Sequence, residues 1–360
     1  MRTAKASLDF DAPHADVGQA RTPPASFYTD PARLERELDT VLARSWQYVG
    51  HAGLLRAHGD YFTTWLGREP LLFVRDGECV RGYFNICRHR AGPLAQGCGH
   101  AARIVCRYHG WSYSLQGQLL RAPEMDGTQG FDSAGIHLEP VQVHMFGPMI
   151  FAALGPEVPP FELYHAGFAG ECAPFHLDRM QHVLTREYPV ASNWKVYVDN
   201  YLEGYHVPLV HPALNREIDY KAYLTELAPN RVLQHAPVRA DSASLYRQAA
   251  GEPDASYYWL FPNVMLNLYE QQLQVNVVIP DGVERTIVRF EWFARDTGSE
   301  RALDPHFKEL LEFTELVQAE DAGICAAVQA NLHSSAYRSG PYSPVRETGV
   351  HWFHRLMLQH

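Results

Sequence analysis

Cys87 and His89 stand one residue apart, Cys106 and His109 stand two apart, and residues 90–105 separate the pairs. Thiolate and imidazole are ligands for zinc and for iron–sulfur centres. Mixed Cys/His zinc sites usually begin Cys-x2–4-Cys and end His-x3–5-His. Here each half carries one cysteine and one histidine. That arrangement suits a [2Fe–2S] cluster with both thiolates on one iron and both imidazoles on the other. Neutral imidazoles raise the potential of such a cluster above that of an all-cysteine one. Gly92, Pro93 and Gly110 border the pairs. They let backbone amides approach the cluster sulfurs, and such outer hydrogen bonds tune a metal centre.

A second constellation lies in "DNYLEGYHVPLVHP", where His206 and His211 are five apart. In a chain with 19 histidines such a pair says little by itself. Five residues of regular helix turn about 140° beyond a full turn, so an unbroken helix cannot aim both rings at one ion. Pro208 is expected to distort the helix and bring them together. Glu203 lies one turn before His206. Glu320 and Asp321 follow in the otherwise apolar "LVQAEDAGICAAVQ". Two histidines and one carboxylate make the facial triad of non-heme Fe(II) oxygenases, which leaves positions for O2 and water.

The stretch from Cys87 to Trp111, with Tyr108-His109-Gly110-Trp111, resembles the Rieske signature. It looks like the oxygenase type, because Gly92 and Tyr108 stand where the respiratory type has extra, disulfide-forming cysteines. Cys79, Cys98, Cys172 and Cys325 are therefore read as buried small side chains. A Rieske signature followed by Glu203, His206 and His211 resembles the catalytic alpha subunit of Rieske non-heme iron oxygenases, from "SFYTDPARLERE" to "GVHWFHRLMLQ". The resemblance implies Cys87, His89, Cys106 and His109 as cluster ligands, and His206, His211 and Asp321 as iron ligands. It implies that Glu203 links the cluster histidine of one subunit to the iron site of its neighbour. Many members carry Asp there, and Glu marks the branch with carnitine oxygenases. Glu320 is read as an outer or solvated carboxylate. The family forms head-to-tail trimers, so a homotrimer is expected.

The chain has neither a Gly-x-Gly-x-x-Gly turn nor a Cys-x4-Cys-x2-Cys run. NAD(P)H is thus expected to act through a separate flavin or iron–sulfur reductase. "NWKVYVDNYLEGYHVPLVH" and the "EDAGICAAVQ" region look most like the choline monooxygenase and carnitine oxygenase branch. That points to O2-dependent oxidation of a small quaternary ammonium compound. Tyr197, Tyr201, Tyr205, Tyr257, Tyr258, Trp259, Phe261, Tyr269, Trp292 and Phe293 are candidate faces for such a cation, although strands favour aromatics anyway. An aromatic-ring hydroxylase and a Rieske electron carrier without oxygenase activity are the alternatives.

The elements that must hold these residues read as α+β. Residues 46–155 carry short β-type runs broken at "LGREP", "RDGE" and "LQGQ", the marks of hairpins. They are expected to form a small all-β [2Fe–2S] domain. Residues 156–360 are expected to form a catalytic domain, an antiparallel sheet flanked by helices. Within it "YYWLFPNVMLNLYEQQLQVNVVIPDGVERTIVRFEWFAR" reads as three strands with "PDG" as a tight turn. "DPHFKELLEFTELVQAEDAGICAAVQANLHSS" reads as one helix capped by Asp304. Residues 1–45 supply a helix, with Thr29 or Asp30 as its cap, that packs on the catalytic domain. The balance of 31 basic and 41 acidic residues argues against a nucleic-acid partner. No signal peptide or apolar span is visible, so a cytoplasmic location is expected.

Overall fold

The hairpin signals close as hairpins in the computed structural model, which describes residues 13–239, 255–269, 272–295 and 305–359. Strands β1 (Gln47–His51), β2 (Asp60–Leu66), β3 (Glu69–Asp76), β4 (Cys79–Phe84) and β5 (Cys98–His100) come first, then β6 (Ile104–Val105), β7 (Ser112–Tyr113) and β8 (Leu119–Arg121). β9 (Pro140–Phe146) and β10 (Met149–Ala153) complete the series. Gly67 and Gly77 open the turns after β2 and β3 with φ of 57° and 60°, a region that costs glycine nothing. Seven strands pair in the order β1-β10-β9-β4-β3-β2-β5, and β6-β7-β8 form a small second sheet. Alternation along β3 sends Leu72 and Val74 to one core, with Tyr83, Cys87, Cys106 and Trp111. It sends Leu71 and Phe73 to another, with Phe62 and Ile150. This compact unit is Leu38–Phe161. Trp46 fastens its end, donating to the Pro159 carbonyl at 2.8 Å and meeting the Phe161 ring edge-on at 5.6 Å.

Two cysteines depart from the sequence reading. Cys172 and Cys325 are buried, but Cys79 and Cys98 are exposed. Cys79 opens β4 directly after a turn, and all of β5, the sheet's edge, is exposed.

The second unit joins the described part of Met1–Glu37 to that of Glu162–His360. Its sheet contains β11 (Met180–Val190), β12 (Leu224–Ala228), β13 (Arg231–His235), β14 (Ser256–Leu260), β15 (Val264–Tyr269), β16 (Gln272–Pro280) and β17 (Thr286–Arg295). The order is β11-β17-β16-β15-β14-β13-β12. The stretch read as three strands makes four, β14 to β17. Pro262 has no N–H for a ladder, so the first run breaks between Leu260 and Val264. Of "PDG", Pro280 ends β16, and Asp281 and Gly282 open a wider loop, 281–285, closed by the Asp281 amide on the Arg285 carbonyl at 2.9 Å. Pro305–Leu332 is one helix of 28 residues. Its expected cap, Asp304, lies outside the described residues.

Near the N-terminus Asp30 caps the helix Pro31–Glu37 by accepting from the Ala32 amide at 2.8 Å. The stripe beyond it does not continue as α-helix, since Leu38–Leu42 widens into a π-type turn. Glu37 is buried and gathers three donors: Lys195 Nζ at 2.7 Å, Trp194 Nε1 at 3.0 Å and Arg33 Nε at 3.1 Å. Lys195 is itself 1% exposed. Glu37→Ala would strand a buried ammonium, so a loss of about 3–5 kcal/mol is expected in chemical denaturation. Asp39→Ala, which removes only the exposed partner of Arg68, should cost at most about 1 kcal/mol.

Candidate metal centres

The Cys–His pairs sit in two loops of the small unit, β4–β5 and β6–β7. Asn85 braces the first loop: its Oδ1 accepts from the Leu94 and Ala95 amides, each at 3.0 Å, and its Nδ2 donates to the Ala95 carbonyl. The Cys87 amide donates to the Gly92 carbonyl at 2.8 Å. The second loop closes through the Cys106 amide on the Trp111 carbonyl at 2.9 Å. Cys87 and Cys106 are buried, His89 is half-buried and His109 is exposed. The two imidazoles lie 4.7 Å apart, and His89 stacks on Trp111.

A Cβ on Gly92 would stand 2.9 Å from Cys106 Sγ, so glycine keeps the space beside that sulfur clear. Gly110 serves differently. Its φ of 75° turns the backbone, and a Cβ there would meet only Pro123 at 3.4 Å. Burial pushes the Cys87 thiol up, so a thiolate here needs a nearby cation. His89 Nδ1 is buried without a hydrogen-bond partner among the described residues. Two buried sulfurs, a cleared space and two converging imidazoles fit a [2Fe–2S] group. Tyr113 Oη lies 3.2 Å from Cys87 Sγ. A hydrogen bond to sulfur favours the electron-rich reduced state. Tyr113→Phe should therefore lower the midpoint potential in a redox titration, with the cluster spectrum retained.

The second centre is built where a helix stops. Trp194–Tyr201 begins with Asn193 accepting from the Lys195 amide and ends at Tyr201. The chain then turns at Gly204, where a Cβ would press to 2.8 Å from the Tyr223 ring. A short helix, Val207–Val210, follows with Pro208 in its first turn. The two histidines are thus brought together by a break between helices, and Pro208 starts the second instead of bending the first. Glu203 holds this break, its Oε2 accepting from the amides of Tyr205 and of His206, the latter at 3.1 Å.

His206, His211 and Asp321 each offer an atom within 4.8 Å of the others. Asp321 Oδ1 is 3.0 Å from His211 Nε2 and 3.7 Å from His206 Nε2. The far side of each ring meets a carboxylate at 2.7 Å: His206 Nδ1 meets Glu203, and His211 Nδ1 meets Glu320. Carboxylates there hold a proton on Nδ1 and leave the Nε2 lone pairs for an ion. Burial draws the His211 pKa down, but hydrogen bonds to Asp321 and Glu320 outweigh it and leave it raised. Asn200 Nδ2 donates to Asp321 Oδ1 at 2.6 Å. Two neutral imidazoles and one carboxylate fit Fe(II) with an open face. Asn200 was not anticipated from the sequence. Glu320, expected to be an outer or solvated carboxylate, lies against His211 Nδ1.

Beside these residues lies a cavity of ≈ 130 Å³. Of the ten aromatics picked from sequence, Tyr197, Tyr201, Tyr257 and Tyr269 line it. Tyr205 is 57% exposed, while Tyr258, Trp259, Phe261, Trp292 and Phe293 are buried in packing. Tyr223 and Phe290 line it unforeseen, as do the amides of Asn267, Gln274 and Asn276. Alternation in "QLQVNVV" puts Gln274 and Asn276 on one face of β16, and both are buried. Buried amides alternating with apolar residues were the available signal. The acidic side chains lining the cavity are Glu203 and Asp321, and no Lys or Arg lines it among the described residues.

A small β unit with two Cys–His loops, and a sheet-and-helix unit holding two histidines against one aspartate, define a Rieske-type oxygenase. Residues 45–132 match the model of the Rieske [2Fe-2S] domain, and residues 177–360 match that of the ring hydroxylating alpha subunit (catalytic domain). The chain belongs to this family of oxygenase alpha subunits. It is 33% identical to the chloroplastic choline monooxygenase of Arabidopsis thaliana, over 98% of this chain and 86% of that one. It is 29% identical to the carnitine monooxygenase oxygenase subunit of Escherichia coli K12, over 98% of both. A solved quaternary ammonium Rieske monooxygenase superposes with a TM-score of 0.84 at 27% identity, over 96% of both chains. Naphthalene 1,2-dioxygenase from Rhodococcus shares the fold, with a TM-score of 0.75 at 16% identity over 93% of both. Among the described residues no helix is long and apolar enough to cross a membrane.

Proposed function

We propose that the chain is a terminal oxygenase that hydroxylates a small quaternary ammonium compound of the choline, carnitine or betaine kind. Electrons come from NAD(P)H through a separate flavin or iron–sulfur reductase. Cys87, His89, Cys106 and His109 would hold the [2Fe–2S] cluster; His206, His211 and Asp321 would hold Fe(II) as a facial triad. When bound, these groups supply single-electron transfer and an open coordination face for O2. A homotrimer in the cytoplasm is the working form, with Glu203 joining the His206 ring to the neighbouring subunit's cluster. Glu203 and Glu320 fix the imidazoles, and Asn200 fixes Asp321.

The observation that carries the substrate reading is the cavity's character. Tyr201, Tyr223, Tyr257, Tyr269 and Phe290 line it with aromatic side chains, and no Lys or Arg lines it among the described residues. Ring faces attract quaternary ammonium, by about 2 kcal/mol or more when desolvated. The names of the choline and carnitine relatives point the same way.

Oxygen uptake by the purified protein, with a reductase and NAD(P)H, tests this. Choline, carnitine and glycine betaine should be compared with benzoate-like aromatics. Uptake with at least one quaternary compound is expected. Uptake with the aromatics alone would overturn the reading in favour of ring hydroxylation. A cluster that is reduced and reoxidised with no substrate-dependent uptake would favour an electron carrier.

A further inference from the structure

Gln274 and Asn276 alternate with valine on β16, so both side chains leave one face of the sheet. They line the cavity and are 5% and 3% exposed. Gln274 Nε2 donates to Asn276 Oδ1 at 2.8 Å, which locks the two amides together. The other polar atom of each, Gln274 Oε1 and Asn276 Nδ2, has no hydrogen-bond partner among the described residues, yet neither is sealed inside the protein. The pair therefore shows the cavity one acceptor and one donor. Turning both amides over exchanges these two roles and keeps the balance. Burying an amide is costly unless it is bonded, and an apolar side chain would fill the strand without that cost. A free N–H beside a free carbonyl complements a group that accepts and donates at once. A hydroxyl does both, a carboxylate only accepts, and an alkyl group does neither. A hydroxyl that displaces water from the pair restores both bonds, and an alkyl group restores neither. Phe290 stands opposite Asn276 across the β16–β17 ladder and lines the same cavity, so an aromatic side chain for a cationic head lies beside the amides.

We propose that Gln274 and Asn276 are specificity-determining residues that hold a hydroxyl of the substrate, one amide donating to its oxygen and the other accepting its hydrogen. This rests on the quaternary ammonium reading above and narrows it to the hydroxylated members of that class. The bond between the two amides keeps the donor and the acceptor in place before the substrate arrives.

Choline and ethyltrimethylammonium differ only by a hydroxyl, and so do carnitine and γ-butyrobetaine. Kd is read from anaerobic calorimetry without turnover, and kcat/KM from oxygen uptake. In the pair that the wild type binds more tightly, the hydroxyl compound should be preferred by about 10- to 100-fold in Kd. The variant carries Gln274→Met and Asn276→Val together, so no buried partner is stranded. In it the preference should fall to within about threefold, through weaker binding of the hydroxyl compound, with the iron content unchanged. Asn276→Ala alone should lower the preference by a smaller factor, and it carries the test if the double variant does not fold. A general loosening of the fold would weaken both members of a pair alike and leave their ratio in place. A ratio that the variants keep, or equal binding of the two members by the wild type, would overturn the proposal. Uptake with glycine betaine, which has no hydroxyl, and with none of these four compounds would sink this proposal alone. No uptake with any quaternary compound would remove the reading above as well.

Discussion

Asp321→Ala should leave a coloured, cluster-bearing protein that has lost its mononuclear iron and all substrate-dependent oxygen uptake. Asp321 is the point where the site's geometry converges: its Oδ1 meets His211 Nε2 at 3.0 Å and the Asn200 amide at 2.6 Å. Removing it takes away the one carboxylate of the three residues whose ligand atoms lie within 4.8 Å of one another. The small unit does not contain Asp321, so cluster absorbance should be unaffected. Iron analysis should fall from about three per chain to about two, the cluster's own pair. Glu320→Ala is the milder companion. It frees His211 Nδ1 without removing a ligand, so iron affinity or activity should drop about 10- to 100-fold. An Asp321→Ala protein that kept its full iron content would show that the ion sits elsewhere.

Glu203→Gln is expected to retain both metals and still lose turnover by more than about 100-fold. The amide oxygen of Gln can accept from His206 Nδ1 as Glu203 does at 2.7 Å. Ring orientation is therefore preserved while the charge is removed. If Glu203 only oriented the ring, the Gln variant should be close to wild type, since even complete loss of an orienting partner costs about 10- to 100-fold. If it joins the site to a neighbouring subunit's cluster, the block appears in electron transfer. Stopped-flow absorbance separates the two: the cluster should be reduced at the normal rate and then reoxidise slowly with O2 and substrate present. Normal reoxidation and turnover would remove the joining role.

The Cys–His pairs and the His–His pair are legible in the sequence because each is local. Cys87 with His89, Cys106 with His109, and His206 with His211 lie within a few residues of one another, and their spacing carries the chemistry. Hairpins were legible where glycine with positive φ marked the turn, at Gly67 and Gly77. What assembles only in three dimensions was not. Asn200 reaches Asp321 across 121 residues, and Gln318 meets Tyr197 across the same interval. Spacing alone does not separate Glu320 from Asp321, and in the fold both adjacent carboxylates touch His211, on opposite ring nitrogens. Residue type alone does not set the burial of a cysteine: Cys98 is exposed because it sits on a sheet edge. Strand spacing does not separate an aromatic on a cavity face from one on a core face. Tyr257 and Tyr258 are neighbours, and only the first lines the cavity.

Coupled turnover of a quaternary ammonium compound is the decisive measurement. Oxygen consumed, NAD(P)H consumed and oxidised product formed should be measured together with the wild-type protein and a reductase, separately for choline, carnitine and glycine betaine. With at least one of them all three quantities should rise together in equal amounts. Uptake that none of the three raises, or oxygen recovered as hydrogen peroxide with no oxidised product, would show that the chain is not an oxygenase of quaternary ammonium compounds.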